Sequence, residues 1–259
     1  MPVTDMFDPT VFDPALIDLE TKQFNEGVEK LLSEAPPIYT LQPQEIRDNR
    51  ESGQSAFGEI VIADEAEERT IPGPAGDIPL RMFIPDEVNG VYLHIHGGGH
   101  MLGRAHHQDP ALLAMAKEAG VAVVSVDYRL APENHYPAGP DDCEAAAVWL
   151  IENAKSEFGS EKLTIGGESA GATLTTCTLL RLRDKHDYTD FRAANLIYGC
   201  YDANFTPSVR RWGERNLILN TRIIEWFYEN YVTEDQRNNP DVSTLHADLS
   251  NMPPALFTV

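Results

Sequence analysis

Short apolar stretches alternate with longer helix-like stretches over most of this chain, and this alternation constrains its fold more than any other feature. From Gly58 onward, the stretches GEIVIA, IPLRMFIP and GVYLHIHGGG are short and β-rich, and VAVVSVDY, KLTIGG and AANLIYGC follow them as further predicted strands. The segments DPALLAMAKEAG, PDDCEAAAVWLIENAKSEFG and GATLTTCTLLRLRDK have the length and spacing of helices, and the first two end in a glycine. Alternation of this kind predicts an α/β fold with a mostly parallel central sheet flanked by helices on both faces.

Two regions do not follow this alternation. Residues 1–50 read as amphipathic helices that precede any strand, with apolar residues at helix-like spacing: Leu16, Leu19, Phe24, Val28, Leu31 and Leu32. Residues 201–233 form a long, aromatic-rich excursion before the strand-like PALFTV. We expect these two regions to be the parts of a helical cap; the alternative is that they only add packing. Residues 51–200 would then form the core, and residues 234–259 would belong to the same core after the second part of the cap.

The charge of the chain excludes two classes of partner. Its 259 residues carry a formal net charge of −21, and so acidic a surface repels both nucleic acid and anionic lipid. No run approaches the roughly 18 apolar residues of a membrane span, and the acidic, proline-containing start does not resemble a signal peptide. Cys143, Cys177 and Cys200 lack metal-ligand spacing and are expected to be reduced core thiols. We therefore expect a cytoplasmic protein with no nucleic-acid partner, no membrane span, and no metal or organic cofactor.

The pentapeptide GESAG at residues 167–171 contains the first candidate catalytic group. It fits the pattern G-x-S-x-G and lies between a predicted strand and a predicted helix, which is the context that this motif requires. At such a sharp turn, side chains in place of Gly167 and Gly171 would collide with neighbouring strands. The pattern favours Ser169 as a nucleophile, and the alternative is a glycine-rich turn with an incidental serine.

The stretch HIHGGGHMLG at residues 94–103 supplies the second candidate element. Three consecutive glycines after a strand let the backbone approach a substrate oxygen closely. Acyl transfer needs backbone N–H groups already in place for the tetrahedral oxyanion, and each donor of this kind contributes about 3–4 kcal/mol. The alternatives are a flexible turn or a phosphate cradle, but a phosphate loop would call for a nearby lysine that the sequence lacks.

HGGG, GESAG and the stretch DYRLAPENHYPAGPDD between them resemble the hormone-sensitive lipase-like (bacterial family IV) carboxylesterases of the α/β-hydrolase fold. The resemblance extends from about the first strand to the last residue, and includes WFYENYV and NPDVSTLHADLSNMPPALFTV. It implies that Ser169 is the nucleophile and that the N–H groups of Gly98, Gly99 and Ala170 form an oxyanion hole. Gly97 would shape the turn.

The same resemblance assigns supporting roles to other residues. His96 is similar to a structural residue that fixes the glycine loop. His100 departs from the family, which commonly has an aromatic residue after the glycines, so the floor of the acyl site is expected to differ. Asp127, Arg129 and Glu133 follow an apolar strand and are expected to brace the scaffold.

The proton acceptor for the serine is harder to place. In this fold the carboxylate and then the histidine follow the nucleophile, and only His186 and His246 follow Ser169. His186 is expected at the exposed end of the helix after the serine, and His246 in a loop that leads into a strand.

The resemblance places the acid just after PALFTV and the histidine after one further strand, whereas the sequence stops at Val259. We therefore expect a fragment without the last strand, the final helix and two triad members, nearly inactive alone. One candidate partner is a companion C-terminal fragment that completes the sheet and triad.

The leading functional interpretation is a serine carboxylester hydrolase that acts on small to medium acyl esters through an acyl-enzyme intermediate. The alternative is a non-catalytic ligand-binding module on the same fold, as the missing histidine would indicate. A peptidase or amidase with the same nucleophile stays open, and so does the oligomeric state.

Overall fold

The computed structural model of the chain describes residues 10, 13–55, 57–213 and 218–259. Within these ranges, seven strands form one sheet in the order β1-β2-β4-β3-β5-β6-β7. The strands are β1 Glu67–Gly73, β2 Gly76–Phe83, β3 Gly90–Ile95, β4 Val121–Val126, β5 Leu163–Glu168, β6 Ala194–Ile197 and β7 Ala255–Thr258. β2 pairs antiparallel with β1 and β4, and the remaining pairs are parallel. The prediction of a mostly parallel sheet is confirmed.

From β3 onward, helices lie between consecutive strands, as the alternation predicted, and two further helices precede β1. They are α1 Leu19–Glu34, α2 Pro43–Glu51, α3 Asp109–Ala119, α4 Ala138–Phe158, α5 Ala170–His186, α6 Pro207–Trp212 and α7 Thr221–Tyr231. The predicted glycine stops are present, because α3 ends on Gly120 at φ 61° and α4 ends on Gly159 at φ 73°. Glycine adopts this left-handed conformation without the steric cost of a Cβ atom.

Both faces of the sheet are covered. In β3, Val91, Leu93 and Ile95 belong to one apolar cluster that includes residues of α4 and α5, whereas Tyr92 belongs to another, with Leu112 of α3. Successive residues of a strand point to opposite faces, so α3 lies on one face and α4 and α5 on the other. This arrangement explains why the central strands are apolar at nearly every position.

Near the start of the sheet, one predicted strand does not form and one observed strand was not predicted. Residues 58–63, which contain GEIVIA, form no strand, and Val61 and Ile62 are exposed. The strand that does form, β1, has charged residues in its first half and was not predicted. β1 pairs with β2 in a hairpin that brings Ile71 opposite Ile78, both of them buried. Pairing with a neighbour, and not its own apolar content, decides where this strand forms.

The predicted N-terminal helices are present, but the apolar side of α1 is largely exposed, whereas Ile46 of α2 packs against the cluster that contains Met101. No residue of α1 is buried, and Leu19 and Phe24 are 69% and 71% exposed. Residues 1–9, 11 and 12 lie outside the described ranges. No helix among the described residues combines the length and the apolar composition needed to cross a bilayer.

The aromatic-rich excursion supplies α6 and α7, while residues 214–217 lie outside the described ranges. Trp226, Tyr228 and Tyr231 of α7 pack with Met101 and Ala131 in an apolar cluster separate from the two clusters on the sheet. Met101 lies just after the three glycines, so α7 packs beside the glycine-rich loop.

Candidate active site

Ser169 lies between the last residue of β5 and the first residue of α5, as its sequence context predicted. Its backbone has φ 54° and ψ −121°, a conformation that residues other than glycine rarely adopt. Its side chain is only partly buried and makes no capping hydrogen bond to α5. The turn therefore presents a hydroxyl that the helix does not use.

The two glycines of the pentapeptide are required by close packing. A Cβ atom on either Gly167 or Gly171 would overlap the carbonyl oxygen of Ile95, at the end of β3. The turn between β5 and α5 therefore lies directly against the neighbouring strand, which agrees with the reason predicted for these glycines.

The glycine loop, residues 97–103, adjoins this turn. A Cβ atom on Gly97 would lie 3.3 Å from the Cβ atom of Ser169 and 2.7 Å from the carbonyl oxygen of Glu168. Gly98 and Gly99 have φ 109° and φ 59°, which favour glycine. The loop is closed by hydrogen bonds from the N–H groups of Met101 and Leu102 to the carbonyl oxygen of Gly98, at 3.0 and 2.8 Å.

Several backbone N–H groups of this region, including those of His100 and Gly171, donate to no group in the described part of the chain, and three of these groups were predicted to bind an oxyanion. The three are the N–H groups of Gly98, Gly99 and Ala170. Ala170 is the first residue of α5, where the helix dipole places partial positive charge. These groups are the predicted oxyanion donors, and their hydrogen-bonding capacity is unused.

Sequence reasoning missed the role of Glu168, the residue just before Ser169. Its Oε1 atom accepts hydrogen bonds from the N–H of Gly97 at 2.7 Å and from Nε2 of Gln108 at 3.2 Å. Its Oε2 atom lies 2.9 Å from Nε2 of His94, whose Nδ1 lies 2.8 Å from Oγ of Ser125. Burial acts to raise the pKa of Glu168, but the charge and hydrogen bonds of His94 and the Gly97 N–H lower it overall. The only sequence signal was an acidic residue at the end of an apolar strand.

His96 has contacts that fit the loop-fixing role implied by the resemblance. Its Nδ1 atom lies 2.8 Å from the carbonyl oxygen of Gly97, and its ring stacks on that of Tyr128 with centroids 4.2 Å apart. The Tyr128 hydroxyl donates to the carbonyl oxygen of His96 at 2.9 Å. Burial lowers the pKa of His96 to about 4, so this imidazole is neutral at physiological pH.

His100, the departure from the family pattern, is a buried ring beneath α7. It stacks on Tyr231 with centroids 3.9 Å apart and planes 2° from parallel. Its Nδ1 atom has no hydrogen-bond partner among the described residues. Burial lowers its pKa to about 3. A neutral, flat imidazole therefore occupies the position where the resemblance described above implies an aromatic residue.

The predicted bracing residues form ion pairs, but Asp127 and Arg129 do not pair with each other. Asp127 accepts from Nε of Arg104 at 2.9 Å, and Arg129 donates to Asp142 at 2.8 Å. Burial alone would raise the pKa of Asp127, but the hydrogen bonds from Arg104 lower it. These pairs connect the end of β4 to the residue just after the glycine loop and to α4.

Arg47 of α2 connects the N-terminal helices to the same region. It donates to the carbonyl oxygens of Met101 and Ala131, both at 2.7 Å, and pairs with Glu133 at 2.9 Å. Glu133, predicted to brace the scaffold, therefore helps to fix α2 beside the glycine loop.

The histidines that follow Ser169 pair with carboxylates. His186 is the last residue of α5, about 24 Å along the helix from Ala170, and its Nε2 lies 2.8 Å from Oε1 of Glu144. Nε2 of His246 lies 3.5 Å from Oδ1 of Asp202. Within the described residues, neither histidine hydrogen-bonds to Ser169.

Two of the three predicted core cysteines are buried, and two aromatic residues near the start of the excursion pack against other aromatic rings. Cys143 and Cys177 are buried, whereas Cys200 is only partly buried; burial raises the pKa of its thiol. Tyr201 packs edge to face with Phe257 of β7, and Phe205 packs in the same manner with Tyr228 of α7.

The chain is similar to known esterases in sequence. A family model described as the alpha/beta hydrolase fold matches residues 92–259. A carboxylic ester hydrolase of Mycobacterium tuberculosis is 36% identical over 200 residues, which are 73% of this chain and 53% of that protein. An ethyl acetate hydrolase of Pseudomonas putida is 30% identical over 234 residues, which are 86% of this chain and 73% of that protein. The chain thus spans between 53% and 73% of the length of these two relatives.

Solved structures of esterases have the same fold. A hyperthermophilic esterase from Pyrobaculum calidifontis superposes with a TM-score of 0.80 at 29% identity, covering 91% of this chain and 78% of that one. A thermostable esterase from Pseudomonas putida superposes with a TM-score of 0.78 at 27% identity, covering 90% of this chain and 76% of that one. The α/β fold predicted from the alternation of strands and helices is therefore confirmed as that of these enzymes.

Proposed function

Because this chain belongs to the α/β-hydrolase family, we propose that it is a serine carboxylester hydrolase that acts on small to medium acyl esters through an acyl-enzyme intermediate. The observation that carries this proposal is the packing of the Ser169 turn against the glycine loop, with Ser169 at φ 54°. The relatives named as carboxylic ester hydrolase and ethyl acetate hydrolase support the reaction class. The HGGG and GESAG motifs support membership of the hormone-sensitive lipase-like group.

In the proposed mechanism, Ser169 Oγ attacks the ester carbonyl carbon. A general base takes the hydroxyl proton as the new bond forms and returns it to the leaving alkoxide, and water then releases the acid by the same proton path. The N–H groups of Gly98, Gly99 and Ala170 hold the oxyanion. Support for this role comes from their unused hydrogen-bonding capacity and from the position of Ala170 at the start of α5.

We propose that the base and its orienting carboxylate lie on polypeptide other than these 259 residues. The reason is that neither His186 nor His246, the histidines that follow Ser169, hydrogen-bonds to Ser169 among the described residues, and that His186 lies about 24 Å along α5 from Ala170. Loss of triad members typically lowers kcat by about 10⁴- to 10⁶-fold. The chain without this polypeptide would then bind esters but turn them over very slowly.

We propose that residues 1–50 and 201–233 form the cap, which limits the size of the acyl group, over a core of residues 51–200 and 234–259. Two contacts support this division. Arg47 of α2 binds the carbonyl oxygen of Met101 in the glycine loop. A Cβ atom on Gly99 would overlap the ring of Phe227 in α7.

A fluorophosphonate probe tests the nucleophile directly, since it reacts covalently with activated serines. We expect slow labelling of this chain, located at Ser169 by peptide mass spectrometry and absent from Ser169→Ala. A longer chain or an added C-terminal polypeptide that supplies the base should label much faster. Absence of labelling in both preparations would instead favour the non-catalytic ligand-binding module.

The substrate class is tested on the faster preparation. Nitrophenyl esters of increasing acyl length should be hydrolysed best at short to medium length if the cap limits the acyl group. Nitroanilides of the same acids distinguish a peptidase or amidase, which would cleave the anilide at a rate comparable to the ester.

A further inference from the structure

Glu51, His106 and His107 form a cluster where the end of α2 meets the turn Ala105–Gln108, which follows the glycine loop. Nε2 of His106 lies 3.1 Å from Oε2 of Glu51, and Nε2 of His107 lies 2.9 Å from Oε1 of the same carboxylate. One ligand atom from each residue lies within 4.8 Å of the other two. The two imidazole rings meet edge to face, with centroids 4.7 Å apart.

We propose that Glu51, His106 and His107 bind one divalent transition-metal ion of the zinc type. In a tetrahedral zinc site, imidazole nitrogens and carboxylate oxygens lie about 2.0–2.2 Å from the ion, so neighbouring ligand atoms are about 3.3–3.6 Å apart. The nitrogen–oxygen separations of 3.1 and 2.9 Å, each to a different oxygen of Glu51, would widen by a few tenths of an ångström. The other ligand-atom separations, which are at most 4.8 Å, would shorten to the same range through side-chain rotation. Two imidazoles and one carboxylate suit zinc, nickel or cobalt, whereas magnesium and calcium prefer oxygen ligands alone.

The exposure of the three side chains allows an ion to enter. The side chain of His107 is 11% exposed and that of His106 is 25% exposed, so the two rings are held by their surroundings. The side chain of Glu51 is 46% exposed and forms the outer side of the cluster. Three protein ligands leave a fourth position of the tetrahedron for water.

Some charged side chains around the cluster oppose the binding of a cation, and others favour it. Arg50 and Arg104 lie close enough to influence His107 and Glu51 respectively, and a cation would be repelled by both. Arg104 is paired with Asp127, which offsets its charge. Arg50 donates to the carbonyl oxygen of Gly58 at 2.7 Å and is held there. The Glu51 carboxylate supplies the negative charge at the centre.

A metal ion at this cluster would compete with protons. It binds the unprotonated Nε2 atom of an imidazole, as it binds the ionised form of a carboxylate. On binding, each Nε2 would give up any proton that it shares with the carboxylate, and the neutral rings would carry their proton on Nδ1. Affinity should therefore fall as the solution is made acidic.

The position of the cluster indicates a structural role. Arg47, one turn earlier in α2, already binds the carbonyl oxygen of Met101, and Gln108, next to His107, donates to Glu168 at 3.2 Å. An ion at the cluster would add a second connection between α2 and the segment that follows the glycine loop. We expect it to stabilise this junction, separately from the chemistry at Ser169.

The test uses the full chain without an affinity tag, after treatment with a chelator. Isothermal titration calorimetry with zinc chloride should give one saturable site, and cobalt chloride should produce the visible absorption of tetrahedral Co²⁺. His106→Gln and His107→Gln should each weaken zinc binding at least about tenfold, and Glu51→Gln should weaken it as well. Each variant is first melted in the presence of a chelator to confirm that it folds.

His186→Gln is the matched control, because His186 also meets a glutamate, Glu144, at 2.8 Å, but without a second histidine. Its zinc affinity should equal that of the unsubstituted chain. The proposal is overturned if the unsubstituted chain shows no saturable site, or if folded His106→Gln and His107→Gln variants keep full affinity. Neither measurement depends on ester hydrolysis, so failure here leaves the proposed function untouched.

Discussion

The Glu168 carboxylate accepts a hydrogen bond from the backbone N–H of Gly97 at 2.7 Å, although 71 residues separate the two in the chain. Glu168 immediately precedes Ser169, and Gly97 is the first residue of the glycine loop. The other oxygen of the same carboxylate meets His94 of β3 at 2.9 Å. One buried carboxylate therefore positions the serine turn and the glycine loop relative to each other.

Glu168→Gln should destabilise the fold, because an amide cannot accept at both oxygen positions and one buried donor loses its partner. We expect the free energy of unfolding in urea to fall by about 1–3 kcal/mol. Glu161→Gln is the control, since the Glu161 side chain is exposed and pairs with Lys155 only at 3.8 Å; its effect should stay within about 0.5 kcal/mol. Equal stability of the two variants would contradict the positioning role of Glu168.

Replacement of Ser169 by glycine and by alanine should separate the strain of the turn from the chemistry of the hydroxyl. Both variants lose fluorophosphonate labelling, because both lack Oγ. Ser169→Gly should be more stable than Ser169→Ala by about 1 kcal/mol or more, since glycine tolerates φ 54° and alanine keeps the Cβ atom. Denaturant unfolding of the pair measures the difference. A more stable alanine variant would argue against strain at this position.

The contact between α7 and the glycine loop is tested at Gly99. Gly99→Ala places a Cβ atom on the ring of Phe227 at φ 59°, whereas Gly58→Ala has the same kind of backbone, φ 69°, and nothing within 4 Å. We expect Gly99→Ala to cost about 1–3 kcal/mol more than Gly58→Ala. Phe227→Ala in the Gly99→Ala background should recover part of this loss, because it makes room for the methyl group. If the losses of unfolding free energy caused by Gly99→Ala and Phe227→Ala simply add, α7 and the glycine loop are not coupled at this contact.

His100 should make the fold sensitive to acid. Its pKa is lowered to about 3 in the folded state, mainly by burial, so between about pH 6.5 and pH 3 the unfolded chain binds a proton that the folded chain does not. His100 therefore lowers the free energy of unfolding as the pH is decreased from about 6.5 to 3, by up to about 1.4 kcal/mol per pH unit, and has no such effect above pH 6.5.

His100→Phe keeps a ring for Tyr231 and removes the titrating group. The variant should lose less stability than the unsubstituted chain between pH 6.5 and pH 4, as measured by urea unfolding at each pH. His135→Phe, at an exposed position, is the control and should keep the original pH dependence. The same slope in all three proteins would mean that His100 does not stay neutral in the fold.

Local patterns were sufficient to predict much of the fold. The strands β3, β4 and β5, the helices α3 and α4 with their glycine ends, and the position of Ser169 between β5 and α5 could all be predicted. Each of these depends on residues within about one element of each other, so apolar spacing and glycine placement carry the information. The packing reason for Gly167 and Gly171 could be anticipated because the turn itself is sharp.

Contacts between distant segments could not be predicted in this way. β1 forms because β2 pairs with it, although its own sequence is charged and exposed, while the more apolar residues 58–63 find no partner strand. Asp127 pairs with Arg104, and Arg129 with Asp142, because packing brings those elements together. The spacing of apolar residues indicates which side of a helix or strand is buried, but it does not indicate which residue of another element lies against that side.

The chain's own sequence therefore determined the alternation of strands and helices, the two glycine-rich turns, and the serine between β5 and α5. Tertiary structure alone decided that Glu168 holds Gly97, that Phe227 covers Gly99, and that Glu51 meets His106 and His107. The physical reason is that backbone conformation follows from neighbouring residues, whereas the partner of a buried charge depends on how the whole chain packs.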